Sequence, residues 1–211
     1  MLSDLPRAKK LRDAYQRLGF VKVSSVLPAS PFSEFFALLL PLLSRICEEV
    51  SQEHQVQSGN VLSDAWRFRR IDPYCLRNPV TREMMSTLLE DIGLSSFTSM
   101  LASKLTPLVG YIVGPVRYTR SYFYLYLEGD YISVHDDHHV GDRVDVQFPV
   151  SIGTVGGIRI LSDGFLTMFY DDIGSMNILG PRVWHDVPPI MRISSSVDPT
   201  RLNLGLRFER E

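Results

Sequence analysis

From residue 108 onward the sequence is a train of short runs rich in Val, Ile, Phe and Tyr, each soon cut off by Gly, Pro or Asp. Tyr111 to Val113, Val116 to Leu127, Val144 to Ile152, Ile158 to Leu161, Phe165 to Tyr170, Ser175 to Leu179, Val183 to Val187 and Arg201 to Phe208 all read as strands. Strands this short and closely spaced build a sandwich or barrel. The helical patterns all come earlier, so strands and helices do not alternate, which argues against a doubly wound parallel sheet. The expected architecture is α+β: one domain over 1–211, with a barrel or jelly-roll core over about 108–211 and buttressing helices within about 1–107.

The first half supports this division. Pro6 to Leu18 carries Leu11, Tyr15 and Leu18 at helical spacing and stops at Gly19, before a short strand at Phe20 to Val23. A second helix is expected from Pro31, capped by Ser30. Gln55 to Ser63 reads as a polar loop, and Thr81 to Leu105 as a helix broken at Gly93. Between them lies an aromatic-basic cluster, Trp66-Arg67-Phe68-Arg69-Arg70. It is either a strand with exposed arginines or a flap touching an acidic group of a substrate.

Bulk properties narrow the class. An apolar fraction of 45% permits a full core, and a net charge of -2 gives no general attraction to nucleic acid or acidic membranes. Cys47 and Cys75 imply no disulfide framework and are expected as reduced thiols of a cytoplasmic protein. No signal-peptide pattern opens the chain, and the apolar run Phe35 to Leu43 is short for a bilayer and interrupted by Pro41.

Chemistry concentrates in Ser121 to Asp137. Tyr122, Tyr124 and Tyr126 share one face of a strand; Gly129 and Asp130 turn the chain, and a second strand ends in His135-x-Asp137. In extended backbone the side-chain period is two, so His135 and Asp137 project from one face and can hold a metal ion between them. His185, in Pro-Arg-Val-Trp-His, is the candidate third ligand. Two imidazoles and one carboxylate leave three adjacent positions open, the ligand set of non-haem Fe(II) oxygenases. The competing reading of His185 is a hydrogen-bonded histidine inside a strand. His138 and His139 read as loop residues, and Asp186 as structural.

The final strand sharpens the picture. Leu202, Leu204, Leu206 and Phe208 fall on one face, and Arg201, Asn203, Gly205 and Arg207 on the other. Arginines on the inner side of a small barrel are costly unless an anion meets them; the alternative is a solvated face.

Taken in order, Tyr126-x-x-Gly129-Asp130, His135-x-Asp137, Gly156-Gly157, His185 and Arg201 resemble the Fe(II)/2-oxoglutarate-dependent dioxygenase superfamily, prolyl-hydroxylase-like and small-molecule hydroxylases included. The two histidines lie 185 − 135 = 50 positions apart, similar to that family's separation. The resemblance implies a double-stranded β-helix (jelly roll), Fe(II) held by His135, Asp137 and His185, and O2 as co-reactant. It also implies 2-oxoglutarate held by Arg201, with Tyr126, Tyr124, Asn203 and Arg207 as further contacts. The activity it implies is hydroxylation of an unactivated C–H bond of a small molecule, such as an amino acid or natural-product intermediate, with release of succinate and CO2. The ending Arg201-x-Asn203-x-x-x-Arg207 is also similar to that of oxygenases that demethylate nucleic-acid bases, although Gly205 stands where those have threonine. Oxidation of such a base or of a protein side chain is the alternative activity, and a non-redox metal-binding cupin-like module the alternative of another class. Nucleic acid and membrane are not expected partners.

Overall fold

The structure is a computed structural model that describes every residue except 1–4, 53–54, 58–59, 63–64, 138–141, 194 and 196–197, with backbone alone at the rest of 52–64 and at Leu5. Helix α1 (Leu5–Leu18) is followed by strand β1 (Phe20–Val23) and helix α2 (Ala29–Ile46). The expected cap on α2 is corrected: the helix begins after Pro28, which has no capping side chain, so Ser30 lies inside the first turn, where its hydroxyl donates to Glu34 (2.7 Å). The apolar run also sits in a longer element than the sequence reading allowed. With 18 residues, α2 is long and apolar enough to cross a membrane by length and composition. One face nevertheless packs into the core: Phe32 meets Phe148 and Phe36 meets Phe123, at ring-centroid distances of 5.9 and 6.2 Å. That is the behaviour of an amphipathic buttress.

Next come β2 (Glu48–Gln52), β3 (Gln55–Gln57), β4 (Asn60–Leu62) and β5 (Trp66–Ile71). The expected loop at 55–63 is therefore partly a two-stranded ladder of β3 and β4. Helices α3 (Pro79–Asp91) and α4 (Leu94–Val113) meet at Gly93 as expected. Tyr111 to Val113, however, belongs to α4 and not to a strand. Leu101, Leu105, Leu108 and Ile112 form one buried helical face, which overrides the β propensity of the last residues. The change from helix to strand thus comes at Gly114, a few residues later than expected, and β5 places part of the first half in the main sheet.

The remaining strands are β6 (Val116–Tyr126), β7 (Tyr131–His135), β8 (Arg143–Ile152), β9 (Gly157–Ser162), β10 (Phe165–Tyr170), β11 (Met176–Leu179), β12 (His185–Val187) and β13 (Thr200–Arg210). All ladders are antiparallel, in the order β1-β11-β8-β13-β6-β5-β7-β12-β9-β10, with β2 on β5. Strands β11, β8, β13 and β6 make one wall, β7, β12, β9 and β10 the other, and β5 joins them: a jelly roll.

Alternation decides what each wall presents. Phe123, Leu125, Val144, Val146, Phe148, Val150, Leu202, Leu204, Leu206 and Phe208 join the helices in the main core. Their neighbours, Tyr122, Tyr124 and Tyr126 on β6, Asp145 and Gln147 on β8, and Arg201, Asn203 and Arg207 on β13, turn to the barrel interior. The solvated alternative for this face is excluded, since Thr200 to Phe208 are all buried. Gly205 is fixed by Tyr122 directly opposite it: a Cβ there would stand 2.0 Å from the ring's Cζ.

Candidate metal centre

His135 closes β7 and His185 opens β12, and the two are direct cross-strand partners with ring centroids 4.3 Å apart. Asp137 follows two residues after His135, and one ligand atom from each of the three lies within 4.8 Å of the others. Both histidines are held alike. His135 Nδ1 is 2.8 Å from the Ser133 carbonyl, and His185 Nδ1 is 2.7 Å from the Val183 carbonyl. A carbonyl only accepts, so each Nδ1 carries the hydrogen and each Nε2 keeps its lone pair for a metal. Burial, then the neighbouring His135, lowers the His185 pKa to about 4, keeping that ring neutral. Burial pushes the Asp137 carboxyl up, but Arg143 and the two histidines outweigh it and hold it below its ordinary value.

Ions continue away from this trio in a chain. Arg143 Nη2 lies 3.0 Å from Asp137 Oδ2, turning one carboxylate oxygen to the cation and leaving Oδ1 on the histidine side, 4.0 Å from His135 Nε2. Arg143 Nε is 3.4 Å from Asp145, which accepts from Arg207 Nε (2.9 Å) and Nη2 (3.3 Å). Arg143 and Asp145 were not singled out from the sequence. The available signal was Asp145 alternating with Val144, Val146 and Phe148, a carboxylate on the polar face of an otherwise apolar strand.

The trio opens into a cavity of about 330 Å³, lined also by Tyr124, Tyr126, Asn203 and Arg207. Four of the five expected cosubstrate contacts therefore reach this space. Burial pushes the Tyr124 phenol up to about 12 and that of Tyr126 higher still, so both remain hydrogen-bond donors. Arg201 is placed differently. It is fully buried behind Tyr126, its guanidinium carbon 5.2 Å from that ring's centroid, and does not line the cavity. Its Nε donates to Asp171 Oδ2 (2.7 Å) and its Nη2 to Oδ1 (3.2 Å), while Ser151 donates to Oδ2 (2.6 Å). The two-bond grip expected of Arg201 on a cosubstrate is thus made on Asp171, and Nη1 alone is left. Gly156 makes room for this cluster, since a Cβ would stand 2.2 Å from Asp171 Oδ2.

Among the described residues, five buried polar side-chain atoms lack a hydrogen-bond partner: Arg70 Nε, Arg143 Nε, Asn177 Oδ1, Arg201 Nη1 and Asn203 Oδ1. Arg70, Arg143 and Asn203 line the cavity, and Arg201 sits behind it. Native proteins rarely leave such atoms unmatched, and the guanidinium nitrogens among them are donors that fit a polar anionic ligand beside a metal, whereas Asn203 Oδ1 is an acceptor that needs a donor.

The other sequence candidates fall away from this centre. Asp186 pairs with Arg159 on β9. Arg67 and Arg69 both donate to the buried Asp130 in the β6–β7 turn (2.9 and 2.7 Å). They are a structural clamp and not a flap. Cys47 and Cys75 are free thiols. His138 and His139 lie outside the described residues.

No protein-family model and no curated protein matches the sequence. Solved structures do. The α-ketoglutarate-dependent epimerase SnoN from nogalamycin biosynthesis is 16% identical with a TM-score of 0.63, over 98% of this chain and 84% of its own. A Pseudomonas putida prolyl-4-hydroxylase is 16% identical with a TM-score of 0.59, over 97% and 99%. An oxidoreductase of the 2OG-Fe(II) oxygenase family from Burkholderia pseudomallei is 18% identical with a TM-score of 0.58, over 97% and 91%. This chain therefore has the jelly-roll fold of the Fe(II)/2-oxoglutarate-dependent oxygenases.

Proposed function

We propose that this protein is an Fe(II)- and 2-oxoglutarate-dependent oxygenase that hydroxylates an unactivated C–H bond of a small molecule. The observation that carries the reading is the trio His135, Asp137 and His185, converging on one point of a cavity edged by unmatched polar groups. When bound, ferrous iron and 2-oxoglutarate supply the oxidising chemistry, in which O2 converts the cosubstrate to succinate and CO2 and hydroxylates the substrate. The chain's own residues bind and orient. The two Nε2 atoms and Asp137 Oδ1 would hold the metal, and Arg143 fixes the rotamer of Asp137. Tyr124, Tyr126, Asn203 and Arg207 line the cavity and would meet 2-oxoglutarate there, and Arg201, packed behind Tyr126 and bound to Asp171, would position that phenol for the far carboxylate. Trp66, Phe68, Ile132 and Val187 give the cavity its apolar lining, which would limit water around the reacting centre.

The small-molecule reading rests on scale and charge. A cavity of about 330 Å³ is at the low end for small-ligand sites (~300–1,000 Å³). A nucleic-acid substrate is less favoured, since the net charge is -2 and two of the three clustered arginines are committed to Asp130. Of the structures compared, SnoN was solved with Fe3+, α-ketoglutarate and nogalamycin RO, itself a small molecule. Free cysteines and the packed face of α2 support a soluble, cytoplasmic setting.

The test is Fe(II)-dependent conversion of 2-oxoglutarate to succinate by the purified protein. His135→Ala, Asp137→Ala and His185→Ala should each abolish it and weaken Co(II) binding, because a three-ligand site loses affinity and geometry together. Near-native succinate release by His185→Ala would remove the distal ligand. Metal binding without any succinate would favour the non-redox cupin-like reading.

A further inference from the structure

Strand β5 divides its side chains by alternation. Arg67 and Arg69 face Asp130, whereas Trp66, Phe68 and Arg70 face the metal cavity. Arg70 thus stands at the end of an aromatic wall. Its Nη2 reaches Glu48 (2.9 Å), an acid whose side chain is 44% exposed, and its buried Nε has no partner. Arg120 lines the same cavity, 3.5 Å from the buried Asp72 and over the exposed ring of Tyr74. Neither Glu48 nor Asp72 belongs to the lining. The cavity therefore meets the two guanidiniums and not the acids behind them.

The remaining charges are already matched near the metal: Arg143 by Asp137 and Asp145, and Arg207 by Asp145. A divalent ion and the dianion of 2-oxoglutarate cancel each other and would leave Arg70 and Arg120 still facing open space. Cys75, which also lines this end, is a neutral thiol, because burial and Asp72 push its pKa up. A buried guanidinium nitrogen without a partner is costly, and an incoming carboxylate or phosphate oxygen would satisfy it.

We propose that the primary substrate is a small organic anion with an apolar body, the body lying on Trp66 and Phe68 and the carboxylate or phosphate held by Arg70 with Arg120. This rests on the oxygenase reading and names the substrate class of that same site.

The experiment uses the anaerobic protein loaded with Fe(II) and 2-oxoglutarate, followed by the charge-transfer absorption of the bound pair. Benzoate and phenyl phosphate are titrated as anionic probes against benzamide as a neutral one. In the native protein at least one anion should bind tenfold or more tightly than benzamide while the absorption band persists. Which anion wins separates a carboxylic acid from a phosphate ester as the natural class. Arg70→Gln should erase most of the preference, and Arg70→Lys should retain part of it because the charge stays. Melting curves confirm that each variant is folded; should Arg70→Gln be unfolded, Arg120→Gln, expected to lower the preference severalfold, takes its place. Equal or undetectable binding of all three probes overturns the proposal, as does a preference unchanged in Arg70→Gln, or loss of the band on adding the anion, which would mean displacement of the cosubstrate. Absence of the band before any probe is added would instead overturn the oxygenase reading.

Discussion

At the scale of single residues, the arginines of β13 carry the sharpest expectations. Arg201 binds Asp171 through two nitrogens and packs its guanidinium against Tyr126, and a planar guanidinium can do both at once, which a lysine ammonium cannot reproduce. Arg201→Lys should raise the apparent KM for 2-oxoglutarate about tenfold or more, a loss of ~1.4 kcal/mol. Arg192, in a loop and paired with Glu128 and Asp198, should tolerate lysine with almost no change. Arg207→Lys should fall between; a larger defect there than at position 201 would move the clamp to the residue that lines the cavity. His185 makes a prediction of pH. Its folded pKa of about 4 lies below the ordinary 6.5, so between those values the unfolded chain holds more protons and stability falls as the solution is acidified. The metal-free protein should lose roughly 3 kcal/mol from pH 7 to 4 through this group, and His185→Asn, followed by urea unfolding, should flatten the curve.

Elements impose their own constraints. The inner faces of β6, β13 and β8 stack in rows: Tyr126, Arg201 and Ser151, then Tyr124, Asn203 and Pro149, then Tyr122, Gly205 and Gln147. In the third row the Tyr122 ring occupies the space of the missing side chain, and it is buried. Gly205→Ala should therefore destabilise by about 1–3 kcal/mol, the usual cost of overpacking, read as a lower urea midpoint. A neutral result would show that the ring has room to withdraw. A β-branched residue such as threonine would meet the Tyr122 ring in the same way.

For the whole molecule, the site joins both walls of the jelly roll: His135 and His185 come from one and the β13 arginines from the other. Ligands that bridge them should stabilise the native state by mass action, by ~2.7 kcal/mol at a hundredfold excess over Kd. For a chain of this length that corresponds to a rise in Tm of roughly 5–10 °C on adding Mn(II) and 2-oxoglutarate, reversed by chelator and absent in Asp137→Ala. No shift in the native protein would mean that the walls are not bridged.

Much of this was legible in the residues themselves. Period-two alternation depends only on backbone geometry, so the inward sets Tyr122-Tyr124-Tyr126 and Arg201-Asn203-Arg207 could be read without knowing what they meet. The pairing of His135 with Asp137 is local for the same reason. What alternation cannot supply is the partner across space. That Asp171 engages Arg201, that Asp145 joins Arg143 to Arg207, and that Asp130 engages Arg67 and Arg69 follows from ladders closing over 30, 62 and about 60 positions. The stretch Tyr111 to Val113 shows the same limit within an element. Its β-branched residues favour a strand by propensity, but Ile112 completes the buried face of α4, and burial against the sheet outweighs a propensity of a few tenths of a kcal/mol. Local chemistry fixed which side chains face inward, and only the closing of the barrel decided which charges were answered by the protein and which were left for a ligand.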